Sequence, residues 1–202
     1  MDTPTITFTP SAEGSQAGKL SIPGTCSLEK LYTHPNCPAA VKATLDKHVH
    51  WQSRCETPLY LGLKLKNEFM PFRAAMSVFG VSRINEEEAV NLEIGNDRVG
   101  FSLVRPTPAH TPIVGAFVRV NLEKETVHDC TVALIGIEKR RLTLPDTQLM
   151  VGKMLADELI DDYAKLVSDK YVGFDDFNGT AEYRKSMVKV TLQRALQEVK
   201  HG

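Results

Sequence analysis

His48, His50, Trp51 and Arg54 fall within seven consecutive positions, and their side chains carry proton-transfer, stacking and anion-clamping chemistry. An imidazole titrates near neutral pH, so His50 is a candidate acid or base, and equally a surface histidine at a helix end. His-x-His can ligate a metal on a strand, where i and i+2 share a face. The helix expected over 38–49 sends His48 and His50 apart, so no metal site is expected. Trp51 can stack on a planar ligand or cover the core. Arg54 can clamp a carboxylate or phosphate with its fork of donors, or pair with Glu56 or another acid. Tyr60 offers a second planar surface or a plug. Arg105 and His110 flank a proline-rich stretch further on. The candidates are therefore His50 and His110 for proton transfer, and Trp51, Arg54, Tyr60 and Arg105 for ligand binding; the catalytic residues are otherwise unassigned.

Spacing elsewhere excludes several activities. There is no Ser-His-Asp arrangement, no phosphate-binding P-loop and no dinucleotide fingerprint. Cys26, Cys37, Cys55 and Cys130 form no C-x-x-C pair and lack zinc-finger or iron–sulfur spacing. They read as free thiols of a reducing cytoplasm. The start Met1-Asp2-Thr3-Pro4 has neither a basic nor an apolar segment, so no secretory signal is expected.

The chain of 202 residues has 42% hydrophobic and 24% charged residues, the balance of a globular protein. A chain this long buries roughly 70% of its unfolded surface and needs no disulfide or metal to stand. Lys and Arg number 24 against 25 Asp and Glu, so no charge excess points to nucleic acid. No run approaches the ~20 apolar residues of a membrane span.

The elements that must position these groups follow from periodicity. Residues 1–19, rich in Thr, Ser, Pro and Gly, read as a loose or weakly stranded arm. Leu20-Ser21-Ile22 suggests a strand, and Ser27 caps a short helix. Val41, Leu45 and Val49 mark the buried face of a second helix. Residues 51–66 suit a strand or an irregular connection, and 72–79 a short helix. Glu86-Glu87-Glu88 reads as a solvated helix start, and 82–112 show no long period. Val114, Ala116, Val118, Val120 and Leu122 share one parity. With 130–137 they predict a hairpin, and 142–144 a third strand. Helices are expected over 147–167 and 181–199. The architecture is α+β.

The C-terminal half resembles the C-terminal domain of the FAD-binding subunit of molybdenum hydroxylases, the xanthine dehydrogenase and carbon monoxide dehydrogenase flavoprotein family. The matching pieces are the hairpin, the third strand, Gly152-Lys153-Met154-Leu155, Gly179-Thr180-Ala181-Glu182-Tyr183-Arg184 and Arg194-Ala195-Leu196. Thr180 can cap the last helix and Glu182 suits its dipole, so the segment reads as structural. Residues 20–31 look like the family's strand leading into a Thr-Leu-x-x-Leu helix, and Gln52-Ser53-Arg54 is similar to its Gln-Ile-Arg-Asn. The resemblance implies an arm over 1–19, a remnant of the second flavin subdomain over 20–107, and the flavoprotein C-terminal-like domain over 108–202. It implies a truncated flavoprotein-like region followed by a three-stranded antiparallel sheet packed by helices.

Departures from the family pattern bear on its cofactor. No Gly-Gly-Thr/Ser loop for the FAD diphosphate precedes Leu20. Where the family has a second phosphate loop, Thr-Ile-Gly-Gly-Asn, this chain reads Thr57-Pro58-Leu59-Tyr60-Leu61. Glycine lets backbone amides approach a diphosphate; Leu59 and Tyr60 add bulk there and Pro58 removes a donor. FAD is thus expected to be lost. Three functions follow as expectations: a degenerate relative that binds a small molecule or serves assembly, an FAD-dependent electron-transfer subunit whose missing loop a partner supplies, and a non-redox enzyme reusing the flavin cleft. Partners would be oxidoreductase subunits or a second copy, in the cytoplasm, without nucleic acid or membrane.

Overall fold

A computed structural model describes the chain apart from residues 1–3, 14, 16, 66–68, 108–110 and 140. It divides into two compact units, Met1–Asn96 and Asp97–Gly202. His110 lies outside the described residues.

In the first unit, β1 (Thr7–Pro10), β2 (Gly18–Pro23) and β3 (Ala89–Ile94) form an antiparallel sheet in that order. The expected arm thus contributes an edge strand. β2 buries Leu20 and Ile22, and their partners across the ladder are Leu92 and Val90, which are buried too. This is the period-two pattern of a sheet with one wet face. Glu86, Glu87 and Glu88 do not start a helix. They occupy the turn before β3, where the Glu88 carboxylate accepts from the Asn85 amide at 2.9 Å.

Among the described residues, five helices complete this unit: α1 (Leu28–Thr33), α2 (Ala39–His48), α3 (Trp51–Glu56), α4 (Leu59–Lys64) and α5 (Met70–Ser77). Ser27 caps α1, its hydroxyl accepting from the Lys30 amide at 3.4 Å. Residues 51–66, suited on sequence to a strand or irregular connection, contain α3 and α4 instead. Each helix is only six residues long, too short for an apolar period to show.

The second unit holds a four-stranded antiparallel sheet, β4 (Arg98–Val104), β5 (Val114–Glu123), β6 (Thr126–Ile135) and β7 (Leu142–Thr143), in sequence order. The expected hairpin is β5–β6. Lys124 and Glu125 both take positive φ, 49° and 71°, the two-residue turn that matches strand twist. The sequence predicted three strands; β4 is the fourth. Its pairs are Arg98↔Val120, Gly100↔Val118 and Ser102↔Ala116. The β4 face shared with the buried Val118 and Val120 therefore reads Arg-Gly-Ser and carries no apolar signature.

Helix α6 runs over Asp157–Lys170 and α7 over Ala181–His201. The predicted helix over 147–167 starts ten residues late. Gly152 takes φ +79° and donates to the Val127 carbonyl at 2.8 Å, and the Leu155 amide donates to Glu125. These bonds tie 152–155 to the start of β6 in place of a helical turn. The core joins Val118, Val120, Val132 and Leu134 from the sheet to Ile160, Tyr163, Leu192, Ala195 and Leu196 from the helices. Among the described residues no helix is long and apolar enough to cross a membrane.

Candidate functional site

The strand-to-helix corner of the first unit gathers most of the sequence-predicted residues. Segment 57–62 folds back on residues 24–28. The Leu28 amide donates to the Thr57 carbonyl at 3.0 Å, Leu59 to Cys26 at 2.8 Å and Tyr60 to Gly24 at 3.0 Å. The amides of Leu61 and Gly62 both donate to the Pro58 carbonyl at 3.1 Å, and Thr57 donates to Ser53 at 2.9 Å. Pro58 has no amide to give. Every backbone donor of this stretch is therefore spent within the chain.

Side chains reinforce the closure. Leu59 is fully buried, and Tyr60 is half-buried with the Lys64 ammonium 5.3 Å from its ring centre. Gly62 lies so close to Leu28 and Phe72 that an added Cβ would stand 3.1 Å and 3.3 Å from them. A diphosphate held by backbone amides does not fit this segment: no donor is free and the space is filled.

Arg54 is 8% exposed and ties three helices together. Its Nε donates to Glu29 Oε2 at 2.8 Å, and its Nη1 to the carbonyls of Leu45 at 3.0 Å and Val49 at 3.4 Å. Those carbonyls end α2, where the helix dipole favours a cation. The guanidinium also stacks 4.3 Å over the Tyr32 ring, whose hydroxyl meets Asp46. The acid that Arg54 bonds is Glu29, with the Asp46 carboxylate 3.9 Å from Nη1, and not Glu56, which accepts from Gln52 instead.

His50 is exposed and caps α3, its Nδ1 accepting from the Gln52 amide at 3.3 Å. Trp51 opens the same helix and is 62% exposed, so it covers no core. Arg54 thus sits within one turn of Trp51 and His50 but turns inward, while they face out. Arg105 follows β4 in the second unit; it is half-buried, and burial holds its guanidinium below the usual arginine range. Among the described residues no three His, Cys, Asp or Glu side chains gather as a metal site.

An open groove of about 720 Å³ lies between Pro23, Gly24 and Thr25 on one side and residues 85–89 on the other. Its mouth carries Glu86, Glu87 and Glu88, an acidic rim that disfavours anions. Sequence reasoning passed over Arg73. Its signal was one charge in the apolar run Phe69-Met70-Pro71-Phe72-Arg73-Ala74-Ala75-Met76, which places a guanidinium inside α5 at 7% exposure.

In the second unit, the Gly-Thr-Ala-Glu-Tyr-Arg segment is structural in its geometry. Thr180 caps α7, accepting from the Tyr183 amide at 3.2 Å. Arg184 donates to the carbonyls of Ile113 at 2.6 Å and Gly136 at 3.0 Å, and to Asp176 at 2.6 Å.

Comparison with known proteins follows this division. Residues 103–199 match the CO dehydrogenase flavoprotein C-terminal domain. No curated protein matches the sequence. Among solved structures, reconstituted CO dehydrogenase from Oligotropha carboxidovorans is similar with TM-score 0.77 and 14% identity, over 97% of this chain and 78% of that one. Quinoline 2-oxidoreductase from Pseudomonas putida 86 gives 0.74 at 16% identity, with the same coverage. Carbon monoxide dehydrogenase from Hydrogenophaga pseudoflava gives 0.75 at 12%, over 96% and 78%. The fold is shared along nearly the whole chain, and residues 103–199 match the flavoprotein C-terminal domain of the CO dehydrogenases.

Proposed function

We propose that this chain is a relative of the molybdenum hydroxylase flavoproteins that does not hold FAD and acts as a small-molecule-binding or assembly protein. The observation that carries this reading is the closed segment 57–62. Its amides donate to Gly24, Cys26, Ser53 and Pro58, so none is left for a diphosphate. A glycine-poor sequence alone would leave room for amides to point outward; the bonding pattern removes that room. Trp51, Tyr60 and His50 remain the candidates for contact with a ligand, because Arg54 turns inward to Glu29 and the carbonyls that end α2. The exposed Trp51 beside His50 supplies the open planar surface of that set. The purified chain is expected to be colourless and to leave FAD fluorescence unchanged on mixing. A yellow preparation with one flavin per chain would overturn the reading.

A second reading rests on the fold shared with CO dehydrogenase and quinoline 2-oxidoreductase. In it the chain is an electron-transfer subunit, and an oxidoreductase partner completes the FAD site. Co-purification with a partner that restores stoichiometric flavin would favour it.

A further inference from the structure

Among the described residues, Arg73 is a buried cation without a countercharge. It lies in α5, where every residue from Met70 to Ser77 is buried. Its Nε has no hydrogen-bond partner. The bond its side chain does make runs from Nη1 to the thioether of Met70 at 3.9 Å, a weak acceptor. Among the described residues no carboxylate pairs with it. An arginine keeps its proton even when buried, so the charge stays and its desolvation is uncompensated. The other buried arginines show the usual solution: Arg54 has Glu29 and Arg184 has Asp176.

The direction of the side chain says where the missing charge belongs. Helical side chains lean toward the N-terminus, and the contact with Met70 places the Arg73 guanidinium over the first turn of α5. That turn has no side-chain cap, Phe69 standing at the N-cap and Pro71 within the first turn. Its amides and dipole present partial positive charge. The exposed Arg83 adds a second full charge nearby; burial first, and Arg83 second, hold the Arg73 guanidinium below the usual arginine range.

We propose that the first turn of α5 and the guanidinium of Arg73 form a binding site for an oxyanion, the phosphate or carboxylate of a small ligand. This rests on the reading that the chain binds a small molecule, and it names that molecule's chemical class. The fork of Arg73 supplies two donors to one oxyanion, the helix dipole adds to them, and Arg83 draws the anion in.

The test follows thermal unfolding of the full chain in sodium phosphate, sodium acetate and sodium chloride at matched ionic strength. Phosphate or acetate, but not chloride, is expected to raise the midpoint by several degrees with saturation. The oxyanion that acts identifies the ligand group. Arg73→Met is expected to fold at least as stably as the parent without added anion, since it removes an uncompensated charge, and to lose the saturable shift. Arg83→Gln is expected to weaken the apparent affinity several-fold and keep the shift. An equal shift in Arg73→Met would mean a general salt effect and would overturn the site. So would an Arg73→Met chain that fails to fold, because the guanidinium would then have an internal partner. FAD retention is scored separately. Flavin bound with the phosphate shift intact would sink the flavin-free reading and leave this site standing; a colourless protein with no shift would sink this site alone.

Discussion

Arg184 and Gly136, 48 residues apart in sequence, meet through a 3.0 Å hydrogen bond from the guanidinium to the glycine carbonyl. Gly136 takes φ +83° and lies against the Ile113 backbone, and Arg184 also bonds the Ile113 carbonyl. One buried side chain thus fixes the end of β6, the entry to β5 and the start of α7. Replacing it strands two carbonyls and a carboxylate. Arg184→Met is expected to destabilise the chain by about 3 kcal/mol in urea unfolding. Arg184→Lys keeps the charge but loses the fork, and should recover less than half of that. A change below ~0.5 kcal/mol for Arg184→Met would contradict the arrangement.

The ion pair of Arg184 with Asp176 sets an acid limit. Partial burial pushes the Asp176 carboxyl up, but the bond from Arg184 and the amides of Asn178 and Gly179 outweigh it and hold the group below the usual carboxylate range. A carboxyl with a lowered folded-state pKa stabilises the fold above its unfolded value, about 3.9, and loses that stability as pH falls through the folded value. Unfolding midpoints should therefore drop on acidification below about pH 4. Asp176→Asn should be less stable at pH 7 and show a shallower drop. A variant with the parent's full acid slope would remove Asp176 from the account.

Thiol chemistry should separate one cysteine from three. Cys26, Cys37 and Cys130 are buried and Cys55 is exposed. Burial pushes the Cys37 and Cys130 thiols up to about 12, and that of Cys26 in the same direction. The thiolate is the nucleophile, so these three should be inert in the native state. Iodoacetamide followed by mass mapping is expected to label Cys55 alone, and all four only after unfolding. Rapid native labelling of Cys130 would contradict its packing.

Legibility of the sequence follows from where side chains could speak. The hairpin was plain because Val114, Ala116, Val118 and Val120 all reach one core. Its neighbour β4 was silent because α7 lies against it: Gly100 sits beside the Ala195 carbonyl, and Arg98 bonds the carbonyls of Val199 and Lys200. Backbone contact needs a missing side chain, and a missing side chain leaves no pattern. β3 did carry its pattern, in Val90 and Leu92, but too briefly to stand out. At the site, His50, Trp51 and Arg54 were legible as residue types. Which of them turns inward was not, because Glu29 lies 25 residues before Arg54 and only the fold joins them. Arg73 was visible as a lone charge; that no carboxylate among the described residues pairs with it belongs to three dimensions.

The closed segment allows a stringent test of the proposal that this chain does not hold flavin. If bulk alone excluded a diphosphate, restoring glycines would be enough. If the committed amides exclude it, glycines would change nothing. The double variant Leu59→Gly, Tyr60→Gly restores the family's pair at these positions. Its amides still face the carbonyls of Cys26 and Gly24, and those bonds hold the segment closed. No gain in FAD binding is expected, measured by equilibrium dialysis and flavin fluorescence. Stability should fall, chiefly through Leu59, whose side chain is fully buried; emptying such a site costs about 2–5 kcal/mol. Tyr60→Gly alone should cost less, since its ring is only half-buried. Because the double variant could unfold, Tyr60→Gly is assayed for flavin as well, and it removes most of the bulk at this point while leaving the Leu59 core intact. Stoichiometric FAD in either folded variant would show that side-chain bulk was the sole barrier, and the assignment of these amides as unavailable would have to be abandoned.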